Sequence, residues 1–394
     1  NENSSGMFKE FTNLIDIQDL EKLDTEKVVN ATDMFYRCLK LTNIDALKDW
    51  DVSNVTDMSK MFNECMQLNN LDALRDWDVS NVKNMSQMFD ECRQLNNLDA
   101  LEYWDVSNVT NMSKMFKCNI STNNVHGNLQ DISGLKKWDV HNVKDMSMMF
   151  ASQGKITDFS ALKSWDVSNV TDMSSMFRIC TLITNLDYLR NWNVSNVTNM
   201  SSMFYNDSQL NNISALSEWN VSNVKNMSQM FYRSKLSSLQ GLDKWNISRL
   251  EDANRMFFNN SKLIDISALQ EWDTYNIKNM SQMFYDCVQL SDISALSEWN
   301  VSNVTSMSGM FSGINISNLS GLEKWNINKV NTLSTMFSDC TKLNNIQAIK
   351  DWDVSNVTDI NGLFYYCWGL SDIKALESWD THNLITMNTV FYNC

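Results

Sequence analysis

Residues 50–62 read WDVSNVTDMSKMF, and nearly the same letters return at 77–89 as WDVSNVKNMSQMF and at 104–116 as WDVSNVTNMSKMF. The interval between copies is 27 residues. A catalytic motif is needed once in a chain, whereas a motif that returns at a fixed interval indicates a repeat protein whose copies contact one another. This stretch therefore decides the fold class before any other feature is considered.

The period extends over nearly the whole chain and is marked by tryptophan. Successive marks are 27 residues apart, except for one step of 34 and two of 26. Met7-Phe8 continues the pattern 27 residues before the pair at 34–35. We predict a degenerate N-terminal capping repeat over 1–33 and a solenoid over 34–394 that ends in mid-repeat. The marking residues are Trp50, Trp77, Trp104, Trp138, Trp165, Trp192, Trp219, Trp245, Trp272, Trp299, Trp325, Trp352 and Trp379.

Composition narrows the function classes. Apolar residues make up 43% of the chain and charged residues 20%, which is typical of a globular protein and not of a disordered one. The net charge of −15 disfavours nucleic acid and anionic membranes, because both are bound through basic patches. No apolar stretch approaches the roughly 18–20 residues of a transmembrane helix, so we expect no membrane insertion.

Within one repeat, apolar residues recur at steps of three and four that fit neither a long helix nor a long strand. We call a position that recurs once in every repeat a station. Two stations have residues typical of helix caps, namely Ser59 two residues before Met61, and Asp45 five residues before Trp50. We predict a one-turn helix at each station and a short strand at N-V-T-D-M and at L-N-N-L. The fold class is an α/β repeat solenoid, a leucine-rich-repeat-like right-handed coil stack with about 27 residues per coil.

Stacked coils place like residues above one another, about 4.8 Å apart. The Asn of "SNV" should then form a ladder in which each side-chain amide bonds the backbone of a neighbouring coil. Arg249 and Lys329 break this ladder. About fourteen coils at that spacing would extend roughly 65–70 Å. The seven extra residues between Cys118 and Trp138, which include residues 120–124, should bulge as a loop.

The pattern M-F-x-x-C-x-x-L-x-x-L followed by W-D-V-S-N-V-T-D-M-S resembles the BspA-like leucine-rich-repeat surface proteins of bacteria. The resemblance covers residues 7–394 and rests on a motif that recurs at a fixed period. It implies a leucine-rich-repeat solenoid that is secreted or displayed on the cell surface. It also implies adhesion to host proteins or to other cells.

The cysteines are predicted to be buried reduced thiols. Eight of the nine lie four residues after the Met of the Met-Phe pair or its substitute, and Cys118 lies one residue earlier. Side chains of a ladder point the same way and the total is odd, which disfavours a disulfide framework. A zinc site is disfavoured because no C-x-x-C pair exists. Histidine is nearly absent, so a catalytic triad is not expected.

The Asp that follows Trp is the candidate for an ion site. Carboxylates stacked about 4.8 Å apart repel one another, and Ca²⁺ could relieve this repulsion. The alternative is that each Asp accepts backbone N–H groups in a bend, which the Asn residues of later coils favour. We assign no metal and no cofactor, and keep one row only as calcium candidates. The row comprises Asp51, Asp78, Asp105, Asp139 and Asp166.

Partner recognition is expected at stations that vary between coils. The residue after Met-Phe is aromatic in four successive coils, and such a row suits contact with a protein or glycan. The alternative is that these rings pack along the ladder as half-buried cover. The candidate partner-binding residues are Tyr205, Tyr232, Phe258 and Tyr285.

The sequence therefore predicts a non-catalytic surface solenoid that mediates adhesion or protein–protein interaction with host or neighbouring cells. Its partner would be a protein or glycan on another cell or in the matrix. The first alternative is a self-assembling structural protein or filament subunit that associates through its C-terminal coil. A hydrolase that uses paired carboxylates is the remote alternative, because no two carboxylates are placed uniquely.

Overall fold

The computed structural model describes residues 2–119 and 127–394. The predicted bulge therefore falls largely outside the described residues. The chain divides into two compact units, the first comprising Asn1–Ile183 and Asp187–Val197, and the second Thr184–Leu186 and Thr198–Cys394. Each unit consists of stacked coils of the same repeat.

Adjacent coils of a unit are joined by single parallel β-bridges one period apart. In the first unit, Asn30, Asp57, Asn84 and Asn111 form one such row. The predicted strands are thus reduced to single-residue bridges, because a turn or a 3₁₀ helix begins two residues after each bridge residue. The bridges are Asn3↔Asn30, Asn30↔Asp57, Asp57↔Asn84, Asn84↔Asn111, Asn97↔Asp131, Asn111↔Asp145, Asp145↔Asp172, Asn185↔Asn212, Asn199↔Asn226, Asn226↔Asp252, Ser238↔Asp265, Asp252↔Asn279, Asn279↔Ser306, Ser306↔Thr332, Asn318↔Asn345, Thr332↔Asp359 and Asp359↔Thr386.

Short 3₁₀ helices occupy the second predicted station. Each begins five residues before the Trp of its coil, or before Leu23 in the first coil. A 3₁₀ turn is suited to a piece this short because it closes each hydrogen bond within three residues. The helices are Gln18–Lys22, Asp45–Asp49, Asp72–Leu74, Asp99–Leu101, Ser133–Leu135, Ser160–Ser164, Asp187–Leu189, Ser214–Glu218, Ser267–Leu269, Ser294–Leu296, Gln347–Ile349 and Lys374–Leu376.

The predicted cap of these helices, the residue five positions before Trp, is not the residue whose side chain bonds the helix start. No side-chain capping bond is made at Ile44, the N-cap of the helix that begins at Asp45. Instead, Asn43 Oδ1 accepts the backbone N–H of Asp45 at 2.8 Å. Short Asx side chains readily bond the backbone two residues ahead, which stabilises a turn before the helix begins.

At the Met-Phe station the predicted helix is wrong, and successive tight turns stand in its place. Met61 N donates to Met58 O at 3.2 Å within the coil, whereas Met58 N donates to Asn84 O of the next coil at 3.0 Å. The third residue of each of these turns is left-handed, Lys60 at φ 56° in the turn 58–61 and Glu64 at φ 60° in the turn 62–65. Alternate N–H groups therefore serve the turn and the neighbouring coil, which satisfies the backbone without a helix.

The core of each unit is built from ladders of like side chains. Phe62 is fully buried and its ring stacks on Phe35 at 5.4 Å and on Phe89 at 5.6 Å, with interplanar angles of 5° and 2°. Trp77 stacks on Trp104 at 6.4 Å. One coil alone would expose these rings, and stacking buries them in a shared core.

The predicted amide ladder is present in both units. In the first unit, Asn81 Nδ2 donates to Ser53 O of the preceding coil at 2.8 Å. At the two stations of the second unit that lack Asn, a different hydrogen bond joins the coils. Arg249 donates to Asn223 Oδ1 at 2.7 Å and Lys329 donates to Asn303 Oδ1 at 2.6 Å.

Candidate interaction surface

The aromatic row of the second unit follows the buried Phe ladder by one residue. Phe204, Phe231, Phe257 and Phe284 are buried, and the turn that follows each one brings the next side chain to the surface. Tyr205, Tyr232, Phe258 and Tyr285 are all half-buried. The repeat thus places one aromatic side chain per coil at the same surface station.

The four rings stack in one continuous column. The centroid distances are 4.4 Å for Tyr205–Tyr232, 4.5 Å for Tyr232–Phe258 and 4.7 Å for Phe258–Tyr285. The interplanar angles are 5°, 11° and 2°. The faces of neighbouring rings therefore contact one another within the column, and the ring edges form its outer border. Both sequence interpretations describe part of this geometry, because the rings cover one another and remain partly exposed.

Two guanidinium groups lie against the column. Arg233 Cζ is 5.4 Å from the centroid of Tyr232, and Arg255 Cζ is 6.0 Å from that of Phe258. These distances are within the range of cation–π attraction. Burial and the neighbouring Tyr205 raise the pKa of Tyr232, so its hydroxyl stays protonated at neutral pH. The column presents neutral rings with cations beside them.

The Asp row of the first unit is engaged in bends. Ser53 donates to Asp51 Oδ1 through its backbone N–H at 2.9 Å and its hydroxyl at 2.6 Å. These two bonds, the hydroxyl first, lower the pKa of Asp51. The same backbone bond, from the residue two positions ahead, is made to Asp78, Asp105, Asp139 and Asp166.

Calcium binding by this Asp row stays a prediction. In the structure each carboxylate of the row accepts a backbone N–H group. Within residues 2–119 and 127–394, no group of three or more His, Cys, Asp or Glu side chains has a metal-binding arrangement. His141 and His382 take the place of Ser in two bends, where Nδ1 lies 2.8 Å from Asp139 and 2.7 Å from Asp380.

The prediction of buried cysteines is confirmed for eight of the nine, and Cys394 is the exception. All nine cysteines are free, and only Cys394 is exposed. Cys92 Sγ donates to Phe62 O of the preceding coil at 3.1 Å, and Cys65 makes the equivalent bond to Phe35 O at 3.2 Å. Burial raises the pKa of Cys287 to about 12, which keeps the thiol protonated and unreactive.

Sequence reasoning missed a buried ionic cluster in the first unit. Asp90 and Glu91 are each 5% exposed. Lys117 Nζ lies 3.1 Å from Asp90 Oδ1 and 3.6 Å from Glu91 Oε1, and Arg93 Nη2 lies 2.7 Å from Glu91 Oε2. Burial raises the pKa of Asp90 to about 6, although Lys117 opposes the rise. One feature of the sequence could have indicated this cluster: Asp90 and Lys117 have opposite charges and occupy the same station in adjacent coils.

A polar groove of about 960 Å³ lies on the 3₁₀-helix side of the first unit. Lys136 and Lys163 line it together with Asp131 and Asp158, so both signs of charge are present. The aspartates also bond the backbone N–H groups of Ser133 and Ser160 within their own coils. These carboxylates are thus used to hold the turns.

Each unit is a leucine-rich-repeat-like solenoid, as the sequence predicted. The family described as "Mycoplasma protein of unknown function, DUF285" matches the chain in overlapping segments that together run from residue 2 to residue 394. The chain belongs to this family. Its repeats fit the BspA-like pattern, so the predicted resemblance is confirmed. No curated protein matches the chain.

Solved bacterial leucine-rich-repeat proteins are similar to this chain at low identity. An internalin from Listeria monocytogenes is 12% identical over 96% of this chain and 87% of its own, with a TM-score of 0.34. A leucine-rich repeat protein from Bacteroides ovatus is 14% identical over 96% and 83%, with a TM-score of 0.36. A leucine-rich cell surface protein from Faecalibacterium prausnitzii is 16% identical over 82% and 76%, with a TM-score of 0.33.

Repeat solenoids serve in general as protein-interaction scaffolds, because stacked units present an extended surface. In the part of the chain that the structure describes, no helix is long and apolar enough to cross a membrane.

Proposed function

We propose that this chain is a non-catalytic adhesin, secreted or displayed on a bacterial cell surface, that binds a protein or glycan on host or neighbouring cells. The observation that carries the proposal is the column Tyr205–Tyr232–Phe258–Tyr285, which leaves four stacked rings half-buried on one surface. Aromatic side chains give large contact areas at low conformational cost, and they are enriched where partners bind.

Stacking supports the proposal because it fixes the rings before a partner arrives. A ring held on both faces loses little freedom on binding, so more of the contact energy appears as affinity. The coil spacing also repeats the same group at a constant interval, which suits a partner that makes several contacts at once.

The test is capture of purified extracellular-matrix proteins and of an array of glycans by the immobilised chain. A variant with Tyr205→Asn, Tyr232→Ser, Phe258→Asn and Tyr285→Ser introduces residue types that this chain already carries at the same station, namely Asn63, Ser312 and Ser338. We expect the variant to retain its fold by circular dichroism and to lose capture.

The matched control is Tyr103→Ser with Tyr275→Ser, which removes two tyrosines that are 67% and 50% exposed away from the column. Capture by the control should equal that of the unmodified chain. If the four-residue variant captures as well as the unmodified chain, the column is not the binding surface. If the unmodified chain captures nothing from either collection, the adhesin proposal fails.

Self-association is the second candidate. Ile385, Met387 and Phe391 of the last coil are 79%, 66% and 40% exposed, and a further coil, from continuing chain or from a second copy, would cover them. Light scattering over a range of concentrations tests this candidate. A mass that stays at 45.5 kDa removes it, and growth of the mass with concentration supports it.

A further inference from the structure

A cavity of about 340 Å³ opens on the surface of the second unit, beside the amide ladder. Four of its five lining side chains are charged, and every one except Glu251 is exposed. We call this cavity the basic pocket. Its lining residues are Lys225, Arg249, Glu251, Asn276 and Lys278.

Three of the lining residues belong to one station in successive coils. Glu251 N donates to Lys225 O, and Lys278 N donates to Glu251 O, both at 2.9 Å. These bonds hold the three residues in one row, with neighbouring backbones about 4.8 Å apart. One ligand can therefore contact cations from more than one coil.

Arg249 faces the pocket from the amide-ladder station, which holds Asn in most coils. Its Nη1 donates to Asn223 Oδ1 at 2.7 Å and so joins two coils. Among the residues that the structure describes, the rest of this guanidinium forms no ion pair and no other hydrogen bond. Because a guanidinium carries five N–H donors, most of them stay available to a ligand.

Positive charge exceeds negative charge around the pocket. Lys278 Nζ lies 2.6 Å from Glu251 Oε2. The hydrogen bond and charge of Lys278, with a smaller effect of Lys225, lower the pKa of Glu251, so it is ionised at neutral pH. Three cations and one carboxylate leave an excess of two positive charges. This excess is local, since the whole chain has a net charge of −15.

The other break in the amide ladder lacks these extra charges. Lys329 also bonds the Asn side chain of the preceding coil, at 2.6 Å. The neighbouring station there is uncharged and holds Thr305, Asn331 and Thr358. One cation is thus enough to join the coils at such a break. The two lysines in the row beside Arg249 are not required for that bond.

We propose that the basic pocket binds the sulfate group of a glycan, with Arg249 and Lys225 as the main donors and Lys278 as the third. The inference rests on the proposed interaction function, names a ligand class for it and uses a surface other than the column. A sulfate ester presents three terminal oxygens, one for each cation. Charge-assisted hydrogen bonds to such oxygens are stronger than neutral ones, and a planar guanidinium can donate two of them in parallel.

The size and charge of the pocket favour one anionic substituent over a polyanion or a protein surface. Its volume is at the lower end of the range for small-ligand sites, which suits a single sugar unit. A protein partner would need a more extended interface. A nucleic acid would need basic residues along many coils, and the net charge of −15 opposes it.

The test uses a disaccharide with one sulfate and the same disaccharide without sulfate. Each is titrated against the full chain at about 0.15 M salt and followed by saturation-transfer NMR of the sugar protons. We expect the sulfated form to bind at least about tenfold more tightly. A single contact of this kind is weak and is lost during washing, so titration measures it and surface capture does not.

Arg249→Asn with Lys225→Thr should weaken binding of the sulfated disaccharide by roughly tenfold or more, because two charged donors are removed. Both substitutions introduce residue types that the chain already carries at the same stations, namely Asn276 and Thr198. The fold should therefore be retained, which circular dichroism checks.

The matched control is Lys329→Asn with Lys144→Thr, which makes the same kinds of change at the same stations of other coils. Each double variant removes two positive charges, so a general electrostatic attraction would weaken equally in both. Equal weakening overturns the proposal, as does unchanged binding in Arg249→Asn with Lys225→Thr. Equal binding of the two disaccharides by the unmodified chain also overturns it.

Two further ligands identify the source of the anionic group. Inorganic sulfate should compete with the sulfated disaccharide but bind more weakly than it does. If inorganic sulfate binds as tightly, the sugar is not recognised and the glycan proposal fails. If a glutamate-rich peptide binds more tightly than the sulfated disaccharide, the partner is a protein and the glycan proposal fails.

The four-residue column variant leaves the basic pocket intact, and we expect it to keep sulfate-dependent binding. If this binding is absent from the unmodified chain while capture persists, only the pocket proposal fails. If the unmodified chain captures nothing while sulfate-dependent binding persists, the adhesin proposal fails and the pocket is a sulfate site without that function.

Discussion

The indole Nε1 of Trp77 donates to the backbone oxygen of Leu47, 2.8 Å away in the preceding coil. The two residues are 30 positions apart, and the same bond recurs from Trp104 to Leu74. The repeated Trp is thus explained by contact between coils and not by chemistry within one coil. Each indole packs in its ladder and also ties its coil to the one before it.

Trp77→Phe should lower the stability of the fold by roughly 2 kcal/mol, because it removes a buried hydrogen bond and part of the ring volume. Leu47 O keeps its other donor, Trp50 N, so the loss stays moderate. The matched control is Trp379→Phe, where the equivalent bond to Ile349 O is only partly buried. Urea denaturation should show the larger decrease for Trp77→Phe, and equal decreases would contradict this account.

Much of the fold could be predicted from the repeat, because residues of the same type in successive coils contact one another. The period predicted the stacked Phe and Trp side chains, the amide bonds of Asn81 and its counterparts, and the station of the 3₁₀ helices. It did not predict the tight turns around Met61. Lys60 and Glu64 adopt left-handed conformations there although neither is glycine, so the residue types do not indicate these turns. The hydrogen bonds to the next coil hold it in place.

Asn81→Ala should destabilise the chain by about 1 kcal/mol, since it removes the bond to Ser53 O at an exposed edge. Asn81→Lys should recover part of this loss. The reason is that Lys329, at the same station, bonds the side-chain oxygen of Asn303 in the preceding coil. Thermal unfolding of the two variants side by side checks the order. A lysine variant no more stable than the alanine variant would rule out this substitute bond.

Native thiol labelling should modify one cysteine of the nine. Cys394 is exposed, whereas the other eight are buried. Burial raises the pKa of Cys38 to about 11 and that of Cys367 to about 12, so few thiolates form at pH 8. Iodoacetamide treatment followed by mass spectrometry should give one adduct in buffer and nine in urea. Several adducts in buffer would mean that the coils open readily.

The candidate surface was less predictable than the core. The aromatic row is visible in the sequence because four coils share it. The cluster around Asp90 is marked in the sequence only by the opposite charges of Asp90 and Lys117. That mark does not indicate burial, because an exposed position also varies in this way, with Asn63 in the other neighbouring coil. Burial there depends on side chains from other stations, Glu91 and Arg93 among them, which the period does not relate to one another.

Asp90→Asn should stabilise the chain at pH 7.5 and have little effect at pH 4.5. The folded-state pKa of Asp90 is raised to about 6 by burial, so its contribution to stability is fully present below the unfolded-state pKa. This contribution is lost as the pH rises through about 6. The loss amounts to roughly 2–3 kcal/mol, from a shift of about two pH units.

An uncharged Asn of the same shape avoids that loss, while Lys117 keeps Glu91 as a partner 3.6 Å away. The control is Asp51→Asn, where hydrogen bonds from Ser53 lower the pKa, so ionisation stabilises the fold and no gain at pH 7.5 is expected. Urea midpoints at the two pH values measure the difference. If Asp90→Asn is less stable than the unmodified chain at pH 7.5, the Lys117 pair outweighs the burial of the carboxylate, and the cluster holds these coils together by charge.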